Sequence, residues 1–454
     1  MLDKEYIKSF TISLLIVVLS NLSIYLLAWW TGTDRSIINL DYFIPLIFLA
    51  FRQKILFVLS FTLVSVCDFL VVFAQIFPFI RLSDLAYLLK FSFISSGVYK
   101  AYGAFLLIFL IVQLIIITKL ANRNHNKMFL VLFNVSILLY GYHIYFGDSR
   151  KINFWKPNRS SMVTSQLINY FDYRNRGFVE NYEKSGEIFQ SAIMSGATSE
   201  LFKQFPTNKK VFLVVNESWG VTHDPLLQQN VLNPVLNNHN IVDVKQRELD
   251  FEGFTVGGEL RELCQKAPVH FNLKDQVKGF EKCLPNLFKQ QGYQTIAVHG
   301  ALGLMYDRQD WYPRAGFQKM LFRDQGLNLP NSLCFSFPGN CDYDIARKVT
   351  QEFNANDQIF LYWLTLNTHA VYDKRDLVVD LFTCTKFGIK ENTASCRNLK
   401  LQKQFFHTLA QMLKSPAFSG TKVIVVGDHQ PPIIKDEISV FKDSKVPVLE
   451  FEVQ

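Results

Sequence analysis

The sequence predicts two parts: a transmembrane domain of about five helices over residues 1–148, and an exported α/β domain whose mainly parallel sheet is flanked by helices. Three observations predict this. Of the 454 residues, 49% are hydrophobic and 42 are Phe, and almost all of that apolar excess lies before residue 150. From residue 209 onward, apolar β-type runs alternate with stretches of helical periodicity, the rhythm of a parallel sheet covered on both faces. Four of those runs end on residues suited to metal or phosphate chemistry, and ligands of an open α/β sheet sit beyond the carboxyl ends of its strands.

The spans are expected at 10–30, 42–51, 55–77, 102–118 and 129–146. A hydrocarbon layer ~30 Å thick needs about 20 residues, so the second is short and either recruits 37–41 or is partly re-entrant. Lys4 and Lys8 precede the first span, Arg52 and Lys54 follow the second, and Lys119, Arg123 and Lys127 follow the fourth. Basic residues gather in cytoplasmic loops, so the N-terminus lies inside and, after an odd number of spans, everything beyond 146 lies outside. The length of the first apolar stretch and the lack of a small-residue cleavage site favour a retained helix over a cleaved signal peptide.

Cysteine usage agrees with export. Cys67 lies in a span, and the other six fall into near-neighbour couples that predict three bridges: Cys264 with Cys283, Cys334 with Cys341, and Cys384 with Cys396. No CxxC spacing supports a zinc site instead. Net charge is +8, spread through loops without a long basic run. That suits attraction to anionic headgroups and gives nucleic-acid binding no support. Residues 149–208 read as a helical connector near the membrane surface, and 209–454 as one globular domain. Helical patterns are expected over 256–265, 285–291, 342–353 and 399–413, with a closing strand over 446–453.

The four informative strands are 211–215, ending at Asn216 and Glu217; 295–298, ending at His299; 359–366, ending at Asn367, Thr368 and His369; and 422–426, ending at Gly427, Asp428 and His429. Glu217 is either a cation ligand or a helix cap. Asp428 and His429 emerge together and offer hard and borderline donors to one ion, while Pro431 and Pro432 prevent a helix from starting there. Thr255 opens a helix in GFTVGGELREL, where it is either an ordinary N-cap or a nucleophile, with Gly257 and Gly258 leaving room for a phosphate. Ser218 and Thr222 are rival hydroxyls. His299 and His369 are each either structural or substrate-facing, and Arg308, beside Tyr306 and Trp311, is able to grip a phosphate.

In this order the residues resemble the alkaline phosphatase and sulfatase superfamily, specifically its membrane-bound phosphotransferase branch. That branch includes lipoteichoic acid synthase, the phosphoglycerol transferases of periplasmic glucans and the lipid A phosphoethanolamine transferases. The resemblance spans the whole chain. Glu217 in NESWG matches the family's metal-binding Glu, Thr255 its nucleophile and metal ligand, and Asp428 with His429 in GDHQP its terminal metal pair. His299 in VHG, Tyr306 and Arg308 in YDRQ, and His369 in NTHAVY resemble headgroup-pocket positions, with Tyr306 standing where lipoteichoic acid synthase has Trp.

The resemblance implies a divalent ion, zinc or manganese, and a phospholipid donor whose phosphoglycerol or phosphoethanolamine passes through a phosphothreonine at Thr255 to an envelope glycan or glycolipid. It implies a multi-pass protein of the bacterial inner membrane with a periplasmic catalytic domain. A phosphodiesterase releasing the headgroup to water and a catalytically silent assembly scaffold are the alternatives. No CxPxR motif occurs, which disfavours sulfatase activity.

Overall fold

The computed structural model describes residues 4–31, 33, 35–76, 97–121, 163–174, 184–433, 436 and 439–454, with isolated positions 134, 136–138 and 141. It divides into two compact units, Met1–Glu183 and Lys184–Gln454.

The first unit holds α1 (Lys4–Thr31), α2 (Phe43–Ala50), α3 (Lys54–Ile76), α4 (Gly97–Ala121) and α5 (Gln166–Arg174), with a short parallel pair β1 (Ile38–Asn39) and β2 (Val163–Thr164). Among the described residues, three helices are long and apolar enough to cross a membrane: Phe10–Trp29, Lys54–Ala74 and Gly103–Leu120. They coincide with the first, third and fourth expected spans. The second does not form a crossing helix. α2 has 8 residues and at 1.5 Å per residue rises only about 12 Å. The fifth expected span, 129–146, lies outside the described residues apart from the isolated positions, as does most of 149–183. The buried charges of Arg35 and Asp68 are paired with each other, as unpaired charge in hydrocarbon is costly. Arg35 Nη2 lies 2.6 Å from Asp68 Oδ2 and donates to Asn21 Oδ1 at 3.0 Å.

The second unit contains β3 (Phe189–Ile193), α6 (Ser199–Lys203), β4 (Lys210–Asn216), α7 (Pro225–Leu236), β5 (Ile241–Asp250), α8 (Thr255–Cys264), β6 (Lys266–Pro268) and α9 (Leu284–Gln290). There follow β7 (Gln294–His299), α10 (Arg308–Ala315), β8 (Lys319–Leu321), α11 (Asp342–Ala355), β9 (Ile359–Leu364), α12 (Ala394–Met412), β10 (Thr421–Gly427) and β11 (Lys445–Val453). Seven strands form one sheet in the order β5-β11-β10-β4-β9-β7-β8. The five from β10 to β8 run parallel, and β11 and β5 add an antiparallel edge.

All four chemistry-bearing strands, the closing strand and the four expected helices are present. Both α7 and β5 went unread. α7 is signalled by Asp224, whose side chain accepts from Leu226 N, and by Pro225 at its start. β5 is a solvated edge whose KQRE stretch masks its alternation.

The core explains the layering. On one face Phe212, Val214 and Trp363 of the sheet pack with Leu227 and Val231 of α7, Ile345 and Val349 of α11, and Phe405 of α12. On the other, Phe288 of α9 stacks on Phe360 with centroids 4.5 Å apart, and Tyr312 of α10 meets Tyr362 edge-on at 6.0 Å. Alternate residues of β9 therefore feed opposite faces, as the pleat requires.

Cys264–Cys283 ties the end of α8 to the cap of α9, and Cys384–Cys396 ties a turn to the first turn of α12. The third expected bridge is not formed. Cys334 and Cys341 are buried free thiols, each with its sulfur within 4.8 Å of the other's and of the Asp376 carboxylate. Asp376 accepts from Cys334 Sγ at 3.5 Å and from the backbone of Phe335 and Ser336 at 2.7 and 2.6 Å, so the thiols stand as hydrogen-bonding partners of a carboxylate.

Candidate active site

Adjacent parallel strands end on the same edge of a sheet, and β10, β4, β9 and β7 are adjacent and parallel. Gly427 is in register with Asn216, and Leu364 with both Val215 and His299. The residues following each strand thus emerge side by side.

Glu217, Asp428 and His429 each offer one donor atom, all within 4.8 Å of one another. His429 Nε2 lies 3.4 Å from Glu217 Oε1 and 3.3 Å from Asp428 Oδ2. His429 Nδ1 faces Gln430 O at 2.8 Å. A carbonyl only accepts, so Nδ1 carries a hydrogen, and Nε2 is the ring nitrogen that faces the carboxylates. Asp428 Oδ1 accepts from the backbone N–H groups of Ser218 and His429, both at 2.7 Å, whereas its buried Oδ2 has no hydrogen-bond partner among the described residues.

Burial, and then the charge of Glu217, push Asp428 up to about 8. Burial also works against ionised Glu217, yet His369 and then His429 hold its carboxyl below the usual range. Burial would lower His429, but Asp428 and Glu217 raise it to about 10. Without a metal, Nε2 of His429 thus carries a proton between two crowded carboxylates, a place that a divalent cation such as zinc or manganese would take by displacing it, with the orphaned Asp428 Oδ2 as a further donor.

Thr255 completes the cluster. Its Oγ1 lies 3.3 Å from Glu217 Oε2 and 3.4 Å from His429 Nε2, at the first position of α8, after Phe254 in extended conformation. The positive end of that helix favours negative charge developing on the hydroxyl. Of the rivals, Thr222 is engaged elsewhere, donating to Asp224 O at 2.7 Å, while Ser218 Oγ donates to Glu217 Oε1 at 2.9 Å. Gly258 faces protein and no open phosphate cradle: a Cβ there would come 2.7 Å from Asp428 O. Its role is close approach of α8 to the ligand-bearing strand end.

His299 is buried, with Nδ1–H donating to Leu364 O at 3.0 Å, and burial followed by the Arg308 charge lowers it to about 3. It is therefore neutral, and its Nε2 is an acceptor. His369 is half-buried against the Phe337 ring, centroids 4.7 Å apart, and its charge acts on Glu217. Tyr306 is buried beneath Arg308, whose guanidinium carbon is 5.2 Å from the ring centroid. One edge of the Arg308 fork is taken by Glu259.

Residues 260–443 match the sulfatase family model. The chain carries a sulfatase-family domain. The match includes His299, Tyr306, Arg308, His369, Asp428 and His429, with Glu217 and Thr255 upstream of it. No curated protein matches the chain. Among solved structures, it is similar to the lipoteichoic acid synthase LtaP of Listeria monocytogenes at 18% identity and TM-score 0.41, covering 53% of this chain and 64% of that one. The chain thus spans less than two thirds of that synthase. The phosphoglycerol transferase GacH of Streptococcus pyogenes, solved with sn-glycerol-1-phosphate, is 16% identical over 57% of this chain and 72% of its own, TM-score 0.39. The lipooligosaccharide phosphoethanolamine transferase EptA of Neisseria meningitidis is 13% identical over 98% of this chain and 88% of its own, TM-score 0.38.

Within the sulfatase-family domain and its upstream strand, several supporting residues escaped sequence reading. Gln402 of α12 accepts from Asn216 Nδ2 at 2.7 Å and donates to the carbonyls of Glu217 and Ser218 at 3.0 and 3.1 Å. Asn398, one turn earlier, donates to Ser218 O at 3.0 Å. Polar residues four apart on an otherwise apolar helix face were the available signal. Arg261 Nη2 of α8 donates to Gly427 O at 2.7 Å, and Thr368 Oγ1 to Glu217 O at 2.6 Å. Asp342 accepts from the backbone N–H groups of Leu366 and Asn367 at 2.9 and 2.7 Å, steadying the loop that carries His369.

Proposed function

We propose that the protein moves a phospholipid headgroup, phosphoglycerol or phosphoethanolamine, onto an envelope glycan or glycolipid by way of Thr255. The observation that carries this is the Thr255 hydroxyl, held at a helix start 3.3 Å from Glu217 and 3.4 Å from His429. A divalent ion held by Glu217, Asp428, His429 and Thr255 would lower the hydroxyl's pKa and offset charge on the phosphate.

In the first step Thr255 Oγ1 bonds to the donor phosphorus, the bond from phosphorus to the diacylglycerol oxygen breaks, and diacylglycerol leaves with a proton. In the second, an acceptor hydroxyl takes the phosphorus and Thr255 recovers its hydroxyl. His299, neutral and with Nε2 free to accept, holds a headgroup or acceptor O–H, while Arg308 and His369 meet phosphate oxygens. The three helices among the described residues that are able to cross a membrane support a donor that stays in the bilayer, where local concentration replaces diffusion. The Lys and Arg distribution and two disulfides support an inner-membrane protein with an exported catalytic unit.

The test is mass spectrometry of intact protein incubated with phosphatidylglycerol or phosphatidylethanolamine. We expect a headgroup-sized addition on Thr255, loss of turnover in Thr255→Ala, and product on the acceptor. Full turnover by Thr255→Ala would overturn the reading, and release of headgroup to water alone would make the protein a phosphodiesterase.

A further inference from the structure

We propose that Glu259 is a positioning residue, which acts through Arg308 to hold the phosphate-gripping fork in register with the Thr255 hydroxyl. This rests on the reading above, in which Arg308 meets the donor phosphate. Glu259 follows Thr255 by four residues on α8, so both lie on one face of the helix, a turn apart.

Its carboxylate meets the guanidinium side-on. Arg308 Nε lies 3.2 and 3.1 Å from Oε1 and Oε2, and Nη2 lies 2.6 Å from Oε2. The two side chains are 3% and 0% exposed. Tyr362 OH donates to Oε1 at 3.1 Å, and Tyr312 OH donates to the same oxygen. Burial first, and the Glu259 charge second, hold both phenols above their usual range, so each keeps the hydrogen it donates.

Arg308 carries five N–H donors. Glu259 takes two, on the Nε and Nη2 edge, and Met305 O takes one from Nη1 at 3.3 Å. That leaves one N–H on Nη1 and one on Nη2 for a phosphate. The same clamp seats the guanidinium against the Tyr306 ring, and Tyr306 and Asp307 both turn through left-handed backbone immediately before Arg308. A buried ion pair is a weak source of stability compared with apolar packing, so its worth here lies in fixing where the arginine points. Glu259 thereby joins the nucleophile's helix to the headgroup pocket.

The test uses full-length, zinc-loaded protein in detergent, with inorganic phosphate as the probe in titration calorimetry. Wild type, Glu259→Gln, Arg308→Gln and the double variant are compared. We expect each single change to weaken phosphate binding about tenfold and the double to be no weaker than either single. A folded Glu259→Gln that binds phosphate like wild type, or losses that multiply in the double, would overturn the proposal, because a merely structural role is independent of Arg308. Should Glu259→Gln not fold, Glu259→Asp takes its place: it keeps the charge but withdraws it by one methylene, and undiminished phosphate binding there overturns the proposal equally. If binding follows the cycle while no lipid ever leaves mass on Thr255, it is the transfer reading that fails.

Discussion

His299 shows how enclosure sets the state of one side chain. Its folded pKa of about 3 lies below the ordinary 6.5, first through burial and then through Arg308. The unfolded chain therefore takes up a proton that the folded protein refuses. Stability from this group is complete above about pH 6.5 and drains away as pH falls toward about 3, by up to about 1.4 kcal/mol per pH unit. His299→Gln should flatten the acid limb of a urea-denaturation series measured across that window. Parallel curves for the two proteins would count against it. Gly258 makes the complementary point about space. Gly258→Ala places a methyl group 2.7 Å from Asp428 O, and the shift it forces should weaken zinc binding at least about tenfold while costing roughly 1–3 kcal/mol of stability. Zinc titration of the folded variant checks the first, and an unchanged affinity would show that α8 does not hold Asp428 in place.

At the scale of elements, α8 and α12 carry what the strand ends cannot supply for themselves. α8 is buried along its whole length, with Thr255 at its start, Glu259 on Arg308 and Arg261 on the Gly427 carbonyl. α12 reaches the other side of β4 through Asn398 and Gln402. Gln402→Leu strands Asn216 Nδ2 and removes donors from two buried carbonyls, which should cost about 2–4 kcal/mol and reduce metal affinity together with it. Calorimetric unfolding and metal titration on the same sample check this, and loss of stability with undisturbed metal affinity would make α12 a packing element only. The four strand ends were legible because each is local: an apolar run that stops on an acid, an amide or a histidine. The supporting residues were not, since nothing near Gln402 in the chain names Glu217 as its neighbour.

For the molecule as a whole, the acidic cluster predicts that folding and metal binding are coupled. A ligand at about 100 times its Kd adds about 2.7 kcal/mol to the folded state. Chelation should therefore lower the melting temperature of wild type and leave that of Asp428→Asn unmoved, as read by differential scanning fluorimetry. Equal shifts in both would place the metal elsewhere. The membrane part was legible in outline for a similar reason of locality, since hydropathy needs no tertiary partner. It misled at 42–51, where an apolar stretch makes a helix of 8 residues, and the sulfur couple Cys334 and Cys341 lies close yet unbonded beside Asp376.

By itself the sequence determined the apolar helices, the strand rhythm and the chemistry at each strand end. These depend on hydrophobicity and periodicity within a few residues. Tertiary structure alone decided that β10, β4, β9 and β7 lie side by side, that Thr255 reaches Glu217 from 38 residues away and that Glu259 finds Arg308 across 49. Strand order and buried side-chain pairing are set by which surfaces meet when the whole core closes, and a buried polar group takes the partner that closure brings to it.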